Sequence, residues 1–164
     1  MLASVGGDMN WRVSIEPVVR PLLHTWWRLS RGLTLGVRGV VARDDGCIVL
    51  VKHTYVSGWH LPGGGVEAGE SAQFSMTREL MEEAGIKLLE PPCLVSVHSN
   101  HRHFRGDHVM VFKAAKWVSC ETDNSGEIQA VEWFDPHDLP EDVSPGTRRR
   151  LDEIYHGRPK SEDW

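Results

Sequence analysis

Membrane-length apolar runs are missing from this sequence, and so is any excess of positive charge. No stretch reaches the roughly 18 apolar residues that a helical span needs. The first residues also lack a basic segment followed by an apolar one, the mark of a secretory leader. A cytoplasmic protein without membrane attachment is therefore expected. The 18 Lys and Arg are outnumbered by 23 Asp and Glu, for a formal net charge of −5. That balance argues against a nucleic-acid partner, because sequence-independent binding to phosphate backbones depends on clustered cations. Cysteine is scarce too. Cys47, Cys93 and Cys120 are an odd, scattered set with no C-x-x-C spacing, which excludes a disulfide framework and reads as reduced thiols. No internal repeat is visible.

What the sequence does have is 164 residues, enough for one domain with its own core, and one stretch that concentrates chemistry. It begins at Gly63-Gly64-Gly65-Val66-Glu67-Ala68-Gly69-Glu70, continues through Arg78-Glu79-Leu80-Met81-Glu82-Glu83, and ends at Ala84-Gly85-Ile86. From Ser71 to Ala84 there is neither Gly nor Pro; Ser71 suits an N-cap, and Gly85 suits the left-handed stop beyond the last turn. The spacing predicts a helix. Ala72, Met76, Leu80 and Ala84, four apart, with Phe74 and Met81 beside them, are its expected apolar surface.

Glu79, Glu82 and Glu83 fall on one face of that helix, since positions three and four apart are neighbours. Like charges at these spacings repel, and they sit toward the helix C-terminus, where the dipole also disfavours anions. A bound divalent cation reverses both effects, because hard Mg2+ or Mn2+ takes carboxylate oxygens together with substrate phosphates. A solvated acidic face is the plainer reading of any acidic cluster taken alone. The glycine run immediately upstream weighs against it here, since it lets the backbone approach the carboxylates closely and offer its own polar groups to a metal or phosphate.

Along the rest of the chain, residues 1–20 read as a flexible N-terminal arm and 21–155 as a single domain that starts with a short helix from Pro21 to Ser30. Residues 156–164 read as a polar C-terminal tail. Thr34–Arg43 and Cys47–His53 are β-rich and joined by Asp44-Asp45-Gly46, a hairpin signal. Tyr55–His60 reads as a loop, Cys93–His98 and His108–Trp117 as strands, Glu121–Glu127 as a polar loop, Ala130–Phe134 as a short strand, and Gly146–Tyr155 as a helix. Between the middle strands lies His101-Arg102-His103-Phe104-Arg105. Arg102 and Arg105 are candidates to grip substrate phosphates, and Phe104 to stack on a base, with a solvated basic hairpin as the alternative.

Read from Gly64, the central stretch spells G-x5-E-x7-R-E-L-x-E-E-x-G-I and resembles the Nudix box of the Nudix hydrolases at every defining position. The surrounding Trp59-His60-Leu61-Pro62 and Val131-Glu132-Trp133-Phe134 are similar to that family as well. The resemblance implies an α/β fold, an α/β/α sandwich around a mixed β-sheet. It also implies metal-dependent hydrolysis of a diphosphate bond in a nucleoside diphosphate linked to another moiety. The partner is then a small molecule, and the protein a monomer or homodimer. Carried over by position, Glu79, Glu82 and Glu83 are metal ligands with the carbonyl of Gly63, the cofactor being Mg2+ or Mn2+. Glu70, Arg78, Gly64 and Gly85 support the geometry of the box. The general base is Glu79 or Glu127. Ser75-Met76 departs from the small residues usual before the box arginine. A non-catalytic Nudix-fold module that binds a nucleotide or a protein is the competing reading, and no box carboxylate has been lost to favour it.

Overall fold

A computed structural model describes residues 32–122 and 126–164. The arm expected over residues 1–20 and the helix expected over Pro21–Ser30 lie outside the described residues. Among the described residues, eight strands and two helices follow one another: β1 (Thr34–Val40), β2 (Ile48–His53), β3 (Trp59–His60), α1 (Ala72–Ala84), β4 (Ile86–Leu88), β5 (Cys93–Ser99), β6 (Asp107–Lys113), β7 (Trp117–Ser119), β8 (Ile128–Phe134) and α2 (Pro145–Tyr155).

The sheet β1-β6-β5 is mixed, with β1 parallel to β6 and β5 antiparallel to it. A second sheet runs β3-β2-β8, and β4 pairs with β7 in a third. Apolar side chains alternate between two cores, as the two-residue period of a strand requires. Val37, Val41, Val49 and Phe112 pack with Met76 and Leu80 of α1. Val40, Ile48, Leu50 and Val111 pack with Leu151 of α2. Each helix thus covers its own core, which makes the α/β/α sandwich. β2, apolar and buried on both faces, is an interior strand.

The hairpin expected between β1 and β2 survives only near its turn, where Ala42 bridges Ile48 and Arg43 donates to the Cys47 carbonyl at 2.9 Å. Beyond that point the strands part, because β1 takes its ladder from β6 and β2 from β8. The strand expected over His108–Trp117 is broken at Ala114–Lys116, and its last part becomes β7 because Ile86–Leu88 offers it an edge. Trp59–His60, read as loop, is held as β3 against Val51 and Lys52.

Helix α1 has the expected ends. The Ser71 Oγ accepts from Phe74 N at 3.2 Å, and Gly85 has φ 63°. The apolar stripe is narrower than expected. Met76 and Leu80 are fully buried, each worth roughly 1.5–3 kcal/mol. Phe74 and Met81 remain 60% and 44% exposed, since Phe74 is two positions from Met76 and Met81 one from Leu80, which turns both away. The final residues are bound to the sheet edge. Trp164 N donates to Ser99 O at 2.9 Å, Ser99 N to Glu162 O at 2.8 Å, and the Trp164 ring packs into the second core.

Candidate active site

The glycine turn lies along β1. Val37 N donates to Gly64 O at 2.9 Å, Gly39 N to Pro62 O at 2.8 Å and Val66 N to Leu35 O at 2.8 Å. Gly63 is buried at φ 140°, and a Cβ there would collide with the Val37 carbonyl, so this approach admits no side chain. At Gly64 the space is taken by the carboxylate of Glu79, whose Oε1 would lie 2.5 Å from an added Cβ. The turn and the C-terminal half of α1 are therefore in direct contact.

Arg78 organises the acids of the helix. Its Nε donates to Glu70 Oε1 at 3.1 Å and its Nη2 to Glu70 Oε2 at 3.2 Å, while Nη1 reaches Glu79 at 2.9 Å and Glu82 at 3.1 Å. Ser75, the departure from the small residues of the box, gives its hydroxyl proton to Glu70 Oε2 at 2.6 Å. The bonds from Arg78 and then Ser75 hold the Glu70 carboxyl at about 2, well below its usual range. The neighbouring carboxylates raise Arg78 further above its already high value.

Glu83 is turned the other way. Its Oε2 accepts from Gly63 N at 2.7 Å, and its Oε1 lies 3.7 Å from His53 Nε2. Burial pushes the Glu83 carboxyl up to about 7, against the Gly63 N–H and the charge of Arg38, with Glu79 and Glu127 adding to the rise. Burial likewise raises Glu79. Glu127 is exposed immediately before β8, where its backbone carbonyl accepts from Thr54 N at 2.9 Å.

Sequence reading missed three residues here. Arg38 Nη1 donates to Leu61 O at 3.1 Å and to Gly63 O, and its charge faces Glu83 and Glu79. His53 is 7% exposed, and its Nδ1 is buried without a hydrogen-bond partner. Burial, then the Arg38 charge, pulls its imidazole down to about 4, so it is neutral. The Tyr55 ring lies beside it, tilted by 43°, at 5.2 Å between ring centroids. Together with Lys52, His60, Gln129 and Asp142, His53 and Tyr55 line a cavity of about 740 Å³. The only sequence signal for His53 was its place at the end of an inward-facing apolar run. Arg38 had none, since an arginine between a valine and a glycine on a strand is ordinarily solvated.

Of the loop residues, Arg102 and His103 lie beside the C-terminal residues. Arg102 pairs with Asp163 at 2.8 Å and, with Asn100, His103, Arg149 and Trp164, lines a cavity of about 410 Å³. Phe104 and Arg105 are exposed.

The donor set fits a hard divalent cation on chemical grounds. Glu79 and Glu83 carry carboxylates that burial leaves short of compensation, and Gly64 leaves Glu79 room against the turn. Among the described residues no three side chains converge as a preformed metal cluster. Arg78 instead holds Glu79 and Glu82, and the Gly63 N–H holds Glu83.

The NUDIX domain profile matches residues 32–154. A MutT-like protein of Streptomyces ambofaciens is 32% identical over 122 residues, 74% of this chain and 71% of its own length. An RNA pyrophosphohydrolase of Aeromonas hydrophila is 29% identical over 125 residues, 76% of this chain and 64% of its own. The crystal structure of a MutT NUDIX hydrolase from Burkholderia pseudomallei superposes with a TM-score of 0.64 at 28% identity, covering 74% of this chain and 97% of that one. With the acid helix seated on the glycine turn and the family profile spanning that whole arrangement, this chain belongs to the Nudix hydrolases.

Proposed function

We propose that this hydrolase cleaves the diphosphate bond of a nucleoside diphosphate linked to another moiety, and that it needs Mg2+ or Mn2+ to do so. The observation that carries the reading is the contact between turn and helix. Glu83 binds the Gly63 N–H, and Glu79 occupies the space that Gly64 leaves open. Glu79, Glu82 and Glu83 would hold the cation, with Gly63 O as the further donor that family position suggests. When bound, the metal would neutralise phosphate oxygens and lower the pKa of a coordinated water.

The protein's own groups would do the rest. Water attacks one phosphorus, the bridging P–O bond breaks, and a carboxylate takes the water proton. Glu79 and Glu127 are the two candidate bases. Burial raises the proton affinity of Glu79, and the Glu127 carboxylate adds to the rise at Glu83 from outside the helix. Arg78 would keep Glu70, Glu79 and Glu82 in register with the turn. Arg105 and Phe104 are free to meet substrate, whereas Arg102 would have to leave Asp163 first.

A panel of nucleoside diphosphate derivatives, assayed with and without Mg2+ for release of a nucleoside monophosphate or phosphate, tests the reaction. Product formed equally well in EDTA would refute the metal requirement. No release from any member would refute the substrate class.

A further inference from the structure

Residues 161–164, read from sequence as part of a polar tail, are held as a peptide is held on a sheet edge. Ser99 N donates to Glu162 O at 2.8 Å and Trp164 N to Ser99 O at 2.9 Å, which adds a short parallel strand to the outer edge of β5. In such docking the main-chain bonds give affinity and side-chain pockets give specificity. Two side chains of the segment are read. The Trp164 ring fills the space over Gly146 on α2, where an added Cβ would collide with its Nε1, and it lies 5.5 Å from the Arg150 guanidinium. The Asp163 carboxylate meets Arg102 at 2.8 Å. Ser161 shapes the segment from within, its Oγ accepting from Asp163 N at 3.1 Å.

The receiving side is buried and polar. Arg150, fully buried, donates to Asp163 O at 3.1 Å and to Glu153 Oε1 at 2.7 Å, and the same Glu153 oxygen accepts from Ser161 N at 2.8 Å. His98, 1% exposed, bonds Ser161 O through Nδ1 at 2.7 Å. Without the segment, Arg150, Glu153 and His98 each lose a hydrogen-bond partner, a loss that costs most for charged groups. The groove therefore favours an occupant of this chemistry.

The connection back to α2 is of the opposite kind. Residues 156–160 are exposed and turn through Gly157 at φ 65°. The contacts of 161–164 are with β5, the loop after it and α2, so they form equally well whichever copy of the chain supplies the segment. Hinge conformation and protein concentration then set the balance.

We infer that the groove between β5 and α2 is a recognition site for a Ser-x-Asp-Trp segment, and that two copies of this chain pair by exchanging residues 161–164 when the hinge at Gly157 opens. In the exchanged pair, Asp163 of one copy holds Arg102 of the other, so each copy positions its neighbour's loop.

The test is complementation between two full-length variants, read by size-exclusion chromatography with light scattering. Gly146→Leu closes the ring pocket and frees the segment, whereas Trp164→Ala leaves the pocket open with no ring to fill it. Each alone should be monomeric, and their equimolar mixture should form a one-to-one dimer. Gly157→Ala meets no atom within 4 Å but puts a side chain at a positive φ, so it strains the folded-back hinge and nothing else. It should dimerise at concentrations where wild type is monomeric, and adding Trp164→Ala to it should restore the monomer. A mixture of folded variants that stays monomeric would overturn the inference. So would a Gly157→Ala dimer that survives Trp164→Ala, since its interface would lie elsewhere. Should Gly146→Leu fail to fold, Gly157→Ala decides alone, and a monomer at every concentration would overturn the exchange.

Discussion

Glu70 and Arg78 meet edge to edge through two hydrogen bonds, Nε to Oε1 at 3.1 Å and Nη2 to Oε2 at 3.2 Å, with Glu70 at the end of the glycine loop and Arg78 on the helix. The pair ties loop to helix and keeps the Glu70 carboxyl near 2, below its ordinary 4.5. A carboxylate depressed in the folded state stabilises above its unfolded pKa, and that stabilisation is lost as pH falls toward the folded value. Glu70→Gln should be less stable than wild type at neutral pH, and the gap should close between pH 4.5 and about 2. Urea midpoints measured across that range check this, and a gap independent of pH would contradict it.

Glu83 and His53, 3.7 Å apart, titrate in opposing senses in metal-free protein. Folded Glu83 keeps its proton up to about 7 against an ordinary 4.5, so it costs stability as pH rises through that window. Folded His53 stays neutral down to about 4 against an ordinary 6.5, so it costs stability as pH falls from 6.5 toward 4. The two slopes oppose each other in wild type, and single variants should separate them. In EDTA, Glu83→Gln should gain on the order of 1–3 kcal/mol over wild type above pH 7 and nothing below 4.5. His53→Asn should lose the acid-side decline. Parallel stability-pH curves for all three proteins would refute both assignments.

An alanine at Gly64 would place its Cβ 2.5 Å from Glu79 Oε1 and push that carboxylate away from the turn. Since Gly64 has no positive φ, the backbone itself accepts alanine. Gly64→Ala should therefore fold and melt like wild type yet lose about 10²-fold in kcat, the scale expected when a reacting group is misplaced by an ångström. Full activity in the folded variant would remove Glu79 from the chemistry.

The two candidate bases differ in what else they hold. Glu127→Gln should lower kcat by about 10²–10⁴ if Glu127 takes the water proton, with Mn2+ affinity unchanged and part of the loss recovered at higher pH. Kinetics like wild type would return the base to Glu79, whose Gln variant would then carry the pH-dependent defect. Full metal-dependent activity in Glu83→Gln would refute the proposed ligand set.

For the loop, Arg102→Ala with Arg105→Ala should raise KM for the preferred substrate and leave Mn2+ affinity alone. Arg102→Ala by itself also releases Asp163, so its melting curve distinguishes a lost substrate contact from a loosened C-terminus. Unchanged kinetics in the double variant would make this loop a solvated hairpin.

Local signals were legible wherever partner and signal lie within a helical turn or two. The Ser71 cap, the Gly85 stop, the buried Met76-Leu80 stripe and the shared face of Glu79, Glu82 and Glu83 follow from the three- and four-residue spacing of a helix. The box motif located the acids and the glycines that approach them. It did not say that the same acids divide, with Glu79 and Glu82 on Arg78 and Glu83 on the Gly63 N–H.

Tertiary structure alone decided which strands pair and what lies beneath the turn. β1 and β2 are neighbours in sequence, yet their ladders are with β6 and β8, more than sixty residues further on, because each strand follows the edge that buries both its faces. Arg38 and His53 entered the site for the same reason. Twenty-five residues separate Arg38 from the Gly63 carbonyl, and thirty separate His53 from Glu83, and no local spacing encodes a contact made only when two chain segments fold against each other.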